Sequence, residues 1–135
     1  MAQSDVPLND QVEAIVRGAR LRLASFQERA HILTGVLRAH QQYDDVIATM
    51  RASESAAEGR QRVAELLGLD QAQAAAVTGI TTAMLSQREH RRMVADYDAA
   101  VAAIADLESV LASPQRQRDL VGTERGSYLA RYGAD

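Results

Sequence analysis

The sequence predicts an all-α protein, a long antiparallel two-helix coiled coil that carries a small helical globular tip. Three observations predict it. Only two prolines occur, Pro7 and Pro114, so the long stretch between them holds no helix breaker of that kind. Tryptophan is absent, Phe26 is the single phenylalanine, and the apolar/polar alternation of a half-buried strand is missing. Two apolar series step by four and three in turn, the repeat of a coiled-coil seam.

The first helix opens with Asn9 or Asp10 as its cap. Its seam runs Val12, Val16, Ala19, Leu23, Phe26, Ala30, Leu33, Leu37 and His40, after which the apolar set moves to Tyr43, Val46, Ile47 and Met50. Read as one helix, residues 10–52 span roughly 64 Å at the helical rise. A rod of that length is buried only if a second helix runs back along it. Ser55 with Glu58 has the spacing of a capping box and starts a short helix over 55–67. Gly68 stops that helix, Asp70 starts another over 70–78, and Thr78-Gly79-Ile80-Thr81-Thr82 interrupts the pattern. Ser86 with Glu89 starts the return helix, whose seam is His90, Met93, Tyr97, Ala100, Ile104, Leu107 and Leu111. Ser113-Pro114 is a cap followed by proline at the first helical position. Residues 114–132 extend the return helix, weakened by Gly122 and Gly126. The whole, 1–135, is expected to be one domain, with a descending stalk over 10–52, a tip over 53–85 and a return stalk over 86–132.

A hairpin of two helices exposes much apolar surface, and association is the usual remedy. Val36, Val94, Val101 and Val110 lie off the seams and suggest a second buried stripe, hence an oligomer, most simply a two-fold homodimer. The net charge of −3 argues against a strong electrostatic grip on nucleic acid. The absence of cysteine excludes disulfides, thiolate catalysis and metal–thiolate sites. No stretch approaches the ~20 apolar residues of a membrane helix. Met1-Ala2-Gln3-Ser4-Asp5 lacks the basic and apolar regions of a signal peptide, so a cytoplasmic location without membrane contact is expected. The Met1 start and irregular first ten residues favour a native short gene over an excised fragment.

Glu28-Arg29-Ala30-His31-Ile32-Leu33-Thr34-Gly35 resembles the ERAHILEG signature of the DNA gyrase and topoisomerase IV A subunits. The likeness continues through Asp44-Asp45-Val46-Ile47-Ala48, Met50-Arg51-Ala52-Ser53, Gly68-Leu69-Asp70 and Gln73-Ala74. It resumes at Tyr97, at Ile104-Ala105-Asp106-Leu107-Glu108, at Val110-Leu111-Ala112-Ser113-Pro114 and at Tyr132-Gly133. The resemblance implies the coiled coil that leaves the DNA-cleaving core, with a tip that meets its twin at the exit gate for the transported duplex. It places a homodimer interface on Val77, Ile80, Thr81, Met84 and Leu85. It suggests a second partner, an intact gyrase A subunit. It also brings Arg17, Arg20 and Arg22 near the DNA gate, where a weak duplex contact is implied.

The tip departs from the family. Where the A subunits have Leu-Asp-Met-Arg-Leu-x-x-Leu-Thr-Gly-Leu-Glu, this chain has Thr78-Gly79-Ile80-Thr81-Thr82-Ala83-Met84-Leu85-Ser86-Gln87-Arg88-Glu89, keeping Leu85 and Glu89. Either it dimerises through a rebuilt surface or it no longer prefers the gyrase partner. The winged-helix domain with the cleaving tyrosine is missing, as is a GxxxxGK[ST] nucleotide loop, so no catalysis is expected. Ala130-Arg131-Tyr132-Gly133 resembles the tyrosine motif superficially, but Tyr132 reads as a packing residue.

No catalytic, cofactor-binding or metal-binding residue is predicted. His40 and Asp44 stand at a helical spacing that a cation can bridge, yet two ligands make a poor site and such pairs are common on helices. His31 reads as a structural hydrogen-bonding residue. His40 and His90 share seam positions, so antiparallel pairing brings them within about a turn of each other. The arginine clusters read first as solvated helix faces. Three other classes compete with a gate module: a DNA-binding accessory, a helical protein–protein scaffold unrelated to topoisomerases, and a helical-bundle enzyme, for which clustered chemistry is lacking.

Overall fold

The computed structural model describes residues 6–122 and 125–132, and every regular element among them is a helix. The Met1–Asp5 leader reading and Gly133 of the Tyr132-Gly133 pair lie outside the described residues. Seven α-helices follow in order: α1 (Leu8–Gln41), α2 (Tyr43–Arg51), α3 (Ala56–Leu67), α4 (Gln71–Thr78), α5 (Gln87–Ala112), α6 (Pro114–Val121) and α7 (Arg125–Tyr132). A 3₁₀ turn, Thr82–Leu85, precedes α5. The all-α class and the long first helix are as the sequence predicts.

Helix starts follow local chemistry closely. Ser55, Ser86 and Ser113 each accept a backbone N–H three residues on, from Glu58, Glu89 and Arg116. Asp70 makes the complete reciprocal cap with Gln73. Gly68 ends α3 at φ 67°, a left-handed position that glycine adopts without a Cβ penalty.

Three boundaries differ from expectation. The first helix begins at Leu8 rather than behind Asn9 or Asp10, because the Pro7 carbonyl accepts the Gln11 N–H and fills the cap position. The 10–52 stalk is interrupted at Gln42, whose N–H turns back to Ala39 O. Ala39 before the break and Tyr43, Val46 and Met50 after it enter the same core, which the break lets both segments reach. The return helix stops at Ala112 instead of running to 132.

Contacts divide the chain into two compact units, Met1–Gln27 with Val101–Asp135, and Glu28–Ala100. In the first, Ala19, Leu107, Val110, Leu120 and Tyr128 are buried, with Leu23, Phe26 and Tyr132 packed against them. The segment after Pro114 is therefore part of a core. In the second, Ala39, Val46, Val63, Leu67 and Val77 form the core. Gly59 admits close approach of α2 to α3: a Cβ there would lie 2.6 Å from Met50 Sδ. No helix among the described residues is long and apolar enough to cross a membrane.

Candidate functional site

The predicted tip residues fall in the second unit. Val77 is 1% exposed and belongs to the core of that unit, beneath the surface that the other four residues share. An apolar side chain at that point of α4 is claimed by Val63 and Leu67. Ile80 is half-buried, and its carbonyl accepts the Tyr43 hydroxyl at 3.4 Å, which ties the turn to α2. Thr81 is exposed and its carbonyl accepts the Met84 N–H, closing the 3₁₀ turn. Met84 is 40% exposed and Leu85 half-buried, and the turn Thr82–Leu85 contains no buried residue. Ile80, Thr81, Met84 and Leu85 thus leave apolar surface on a turn anchored at both ends.

Leu85 also lines an open hollow with His40, Gln41, Gln87, His90 and Arg91. The His40 and His90 rings lie 5.3 Å apart, the proximity that the two seams predict. His40 Nε2 is buried and has no hydrogen-bond partner. Burial of the ring, and then the charge of His90, hold the His40 imidazole below its ordinary 6.5. A neutral ring tolerates this position; a protonated one would put a donor where no acceptor waits.

Beneath the turn, α4 is fixed to α1 by polar contacts. His31 pairs with Asp70, as its structural reading required. Buried Gln73 donates to His31 O at 2.8 Å and accepts from Asp70 N at 3.1 Å, so its amide is satisfied on both sides. The Gln73 N–H first, and His31 next, hold the Asp70 carboxyl below its ordinary value. Arg38 donates to Leu67 O at 2.8 Å, capping the end of α3.

The arginine group lies in the first unit and is split. Arg17 and Arg20 are exposed beside Leu21. Arg22 instead donates to Tyr132 O at 3.1 Å and lies over the Tyr128 ring, so its guanidinium holds α7 to α1.

Tyr132 packs edge-on against Phe26 and Tyr128, and its hydroxyl donates to Asp106 Oδ2 at 2.6 Å. Arg131 donates to the same oxygen at 2.7 Å, and Arg116 to Asp106 Oδ1 at 2.6 Å. Burial works to raise the Asp106 carboxyl, but the Tyr132 and Arg116 hydrogen bonds outweigh it and hold the group below its ordinary value. Burial, then Asp106, push the Tyr132 hydroxyl up to about 12. That network escaped the sequence reading, because its members are spread over α5, α6 and α7 without a short-range pattern. Leu21, 70% exposed, also escaped it, although its spacing from Ala14, Gly18 and Ser25 was a usable signal.

A family profile described as that of the DNA gyrase/topoisomerase IV A subunit matches residues 7–124. The chain is similar to the DNA gyrase A subunit of Mycobacterium tuberculosis, at 40% identity over 128 residues, 95% of this chain and 15% of that protein. It is 38% identical over 128 residues to the DNA gyrase A subunit of Streptomyces coelicolor, again 95% of this chain and 15% of the relative. The DNA gyrase A subunit of Mycobacterium leprae is 37% identical over 125 residues, 93% of this chain and 10% of that protein. The chain spans about 15% of the length of the first relatives it matches. With the ERAHIL segment in α1, the tip helices and the α5 seam all inside the matched range, the chain belongs to the family of DNA gyrase and topoisomerase IV A subunits.

Proposed function

We propose that this chain acts as a non-catalytic, stand-alone coiled-coil and C-gate module in the cytoplasm. It dimerises through Ile80, Thr81, Met84 and Leu85, and its second partner is an intact gyrase A subunit. The observation that carries this reading is Met84, 40% exposed on a turn without a buried residue, in the segment that the family resemblance assigns to the gate. A two-fold interface is self-complementary, so a related chain with the same surface can replace one partner and compete at the gate. The rebuilt sequence of the turn sets how well it does so. The non-catalytic part of the reading is supported by Tyr132, whose hydroxyl is engaged by Asp106 and packed among aromatic rings. A duplex-binding role has less support, because Arg22 is turned into its own unit.

Light scattering of the chain mixed with a gyrase A subunit tests the partner: a mixed complex is expected, which Met84→Glu abolishes. Two separate peaks at every ratio would remove gyrase from the reading. Supercoiling, relaxation and cleavage assays, with and without a B subunit, are expected to show no activity from this chain. A covalent protein–DNA adduct after denaturation would overturn that, with Tyr132→Phe as its control.

A further inference from the structure

The turn that carries Met84 and Leu85 is bracketed by two contacts to one place in the chain, the break between α1 and α2. Ahead of the turn, the Tyr43 hydroxyl on α2 donates to Ile80 O at 3.4 Å. Behind it, His40 near the end of α1 places its ring 5.3 Å from that of His90, in the first turn of α5. His90 is tied to the turn in its own right, since its N–H donates to Ser86 O at 2.9 Å. Leu85 lines one hollow with both rings. All of these residues belong to the Glu28–Ala100 unit.

The two brackets differ in chemistry. The first is a hydroxyl bonded to a carbonyl, whereas the second is a pair of imidazoles, the side chain whose ordinary titration falls between pH 5 and 8. That pair has no acceptor ready for added protons. His40 Nε2 is buried without a hydrogen-bond partner. Cationic Arg91 lines the same hollow, and the remaining lining side chains are Gln41, Gln87 and Leu85. Among the described residues no carboxylate lines it: Asp44, at the start of α2, and Glu89, beside His90, stand outside the lining. Burial, and then the charge of His90, both disfavour protonation of the His40 ring. Two imidazolium rings at this separation, beside Arg91, would repel each other with no anion between them.

We propose that the His40–His90 pair is a pH-sensitive latch on the Thr82–Leu85 turn: neutral rings keep the start of α5 against the end of α1, and protonation parts them and withdraws Leu85 from the gate surface. The latch rests on the reading that two copies meet at this turn, and it regulates that contact. Acid favours release. A released His40 ring takes up its proton at the ordinary value near 6.5, and the latched ring only at lower pH. Only latched protomers present the complete surface, so the apparent dissociation constant of the dimer rises as their fraction falls.

Sedimentation equilibrium of the full chain at pH 7.5 and 5.5 tests the latch. The wild-type dissociation constant is expected to rise at least about threefold at the lower pH. His40→Leu should associate equally at both, and His90→Arg, which fixes one charge, should associate at pH 7.5 as weakly as the wild type does at pH 5.5. Wild-type association that ignores pH overturns the proposal, as does a His40→Leu protein that keeps the wild-type pH dependence. Amide hydrogen exchange, corrected for its intrinsic pH dependence, gives a second readout that needs no dimer. Protection of the hydrogen-bonded Met84, Glu89 and His90 amides should fall from pH 7.5 to 5.5 in the wild type and hold in His40→Leu, while α3 keeps its protection in both. Unchanged protection at these amides overturns the latch even in a monomer. Failure of the gate reading looks different: Leu85→Arg then leaves association unaltered at pH 7.5, where the latch is closed.

Discussion

The two units bury polar groups in opposite ways. In the first, Asp106 accepts from Tyr132, Arg116 and Arg131, so one carboxylate satisfies three donors on two other helices. In the second, His40 brings its Nε2 into the protein beside His90 and finds no acceptor. The first arrangement ties α5, α6 and α7 together and is costly to remove. The second makes no bond: the neutral ring already leaves a buried nitrogen unpaired, and protonation adds the cost of a buried charge. The units should therefore respond to different perturbations, and each can be altered without the other.

The largest effect is expected from Asp106→Ala, which removes the carboxylate that the Tyr132 hydroxyl and the Arg116 and Arg131 guanidinium groups share, while Arg116 keeps its bond to Ser109 Oγ. It should cost about 2–3 kcal/mol in urea unfolding. Amide hydrogen exchange should rise in α6 and α7, with α3 and α4 keeping their protection. Uniform loss of protection would mean that the two units unfold as one.

Tyr132→Phe removes one donor of the same network while keeping its aromatic contacts, and should cost about 1 kcal/mol. Its pH signature is sharper. The folded hydroxyl is raised from 10.0 to about 12, so the unfolded chain gives up that proton first. The stabilisation is complete below pH 10 and is lost as pH rises toward the folded value. Phenylalanine should abolish that alkaline loss, and an unaltered alkaline limb would show that Tyr132 does not donate to Asp106.

In the second unit, Asp70→Ala removes the α4 cap and the His31 contact together and should lower the urea midpoint less than either change at the Asp106 network. Exchange should rise in α4 alone.

The smallest effect concerns His40. Its folded value is below 6.5, so the unfolded chain binds more protons across the interval between the two. Stability should fall as pH drops through 6.5 toward the lower folded value. His40→Leu should flatten that slope between pH 5 and 8 and stabilise the protein by less than about 1 kcal/mol, since leucine suits a seam position. Parallel curves for the two proteins would show that the histidine is solvated.

Local chemistry was the legible part. Ser55, Ser86 and Ser113-Pro114 mark helix starts because a cap needs only its own next three residues. The His40–His90 approach was legible as well, since two heptad registers run antiparallel leave little freedom in what faces what. The break at Gln42 was harder: it follows from which residues α3 accepts, a tertiary choice that overrides a continuous helical pattern. The candidate site divides on the same line. Thr81 and Met84 lie exposed, while Val77 packs with Val63 and Leu67 and Arg22 is held by Tyr128 and Tyr132, contacts far apart in sequence that no short-range pattern shows.

The proposed gate contact rests on the Thr82–Leu85 turn, and sedimentation equilibrium of the wild-type chain beside its Leu85→Arg variant tests it most directly. A buried, unpaired charge at a two-fold contact is strongly unfavourable. The expected result is a wild-type dimer whose dissociation constant rises at least about tenfold in the variant, with the helical circular dichroism unchanged. A wild-type monomer without concentration dependence, or identical association of the two proteins, would contradict a gate at this turn.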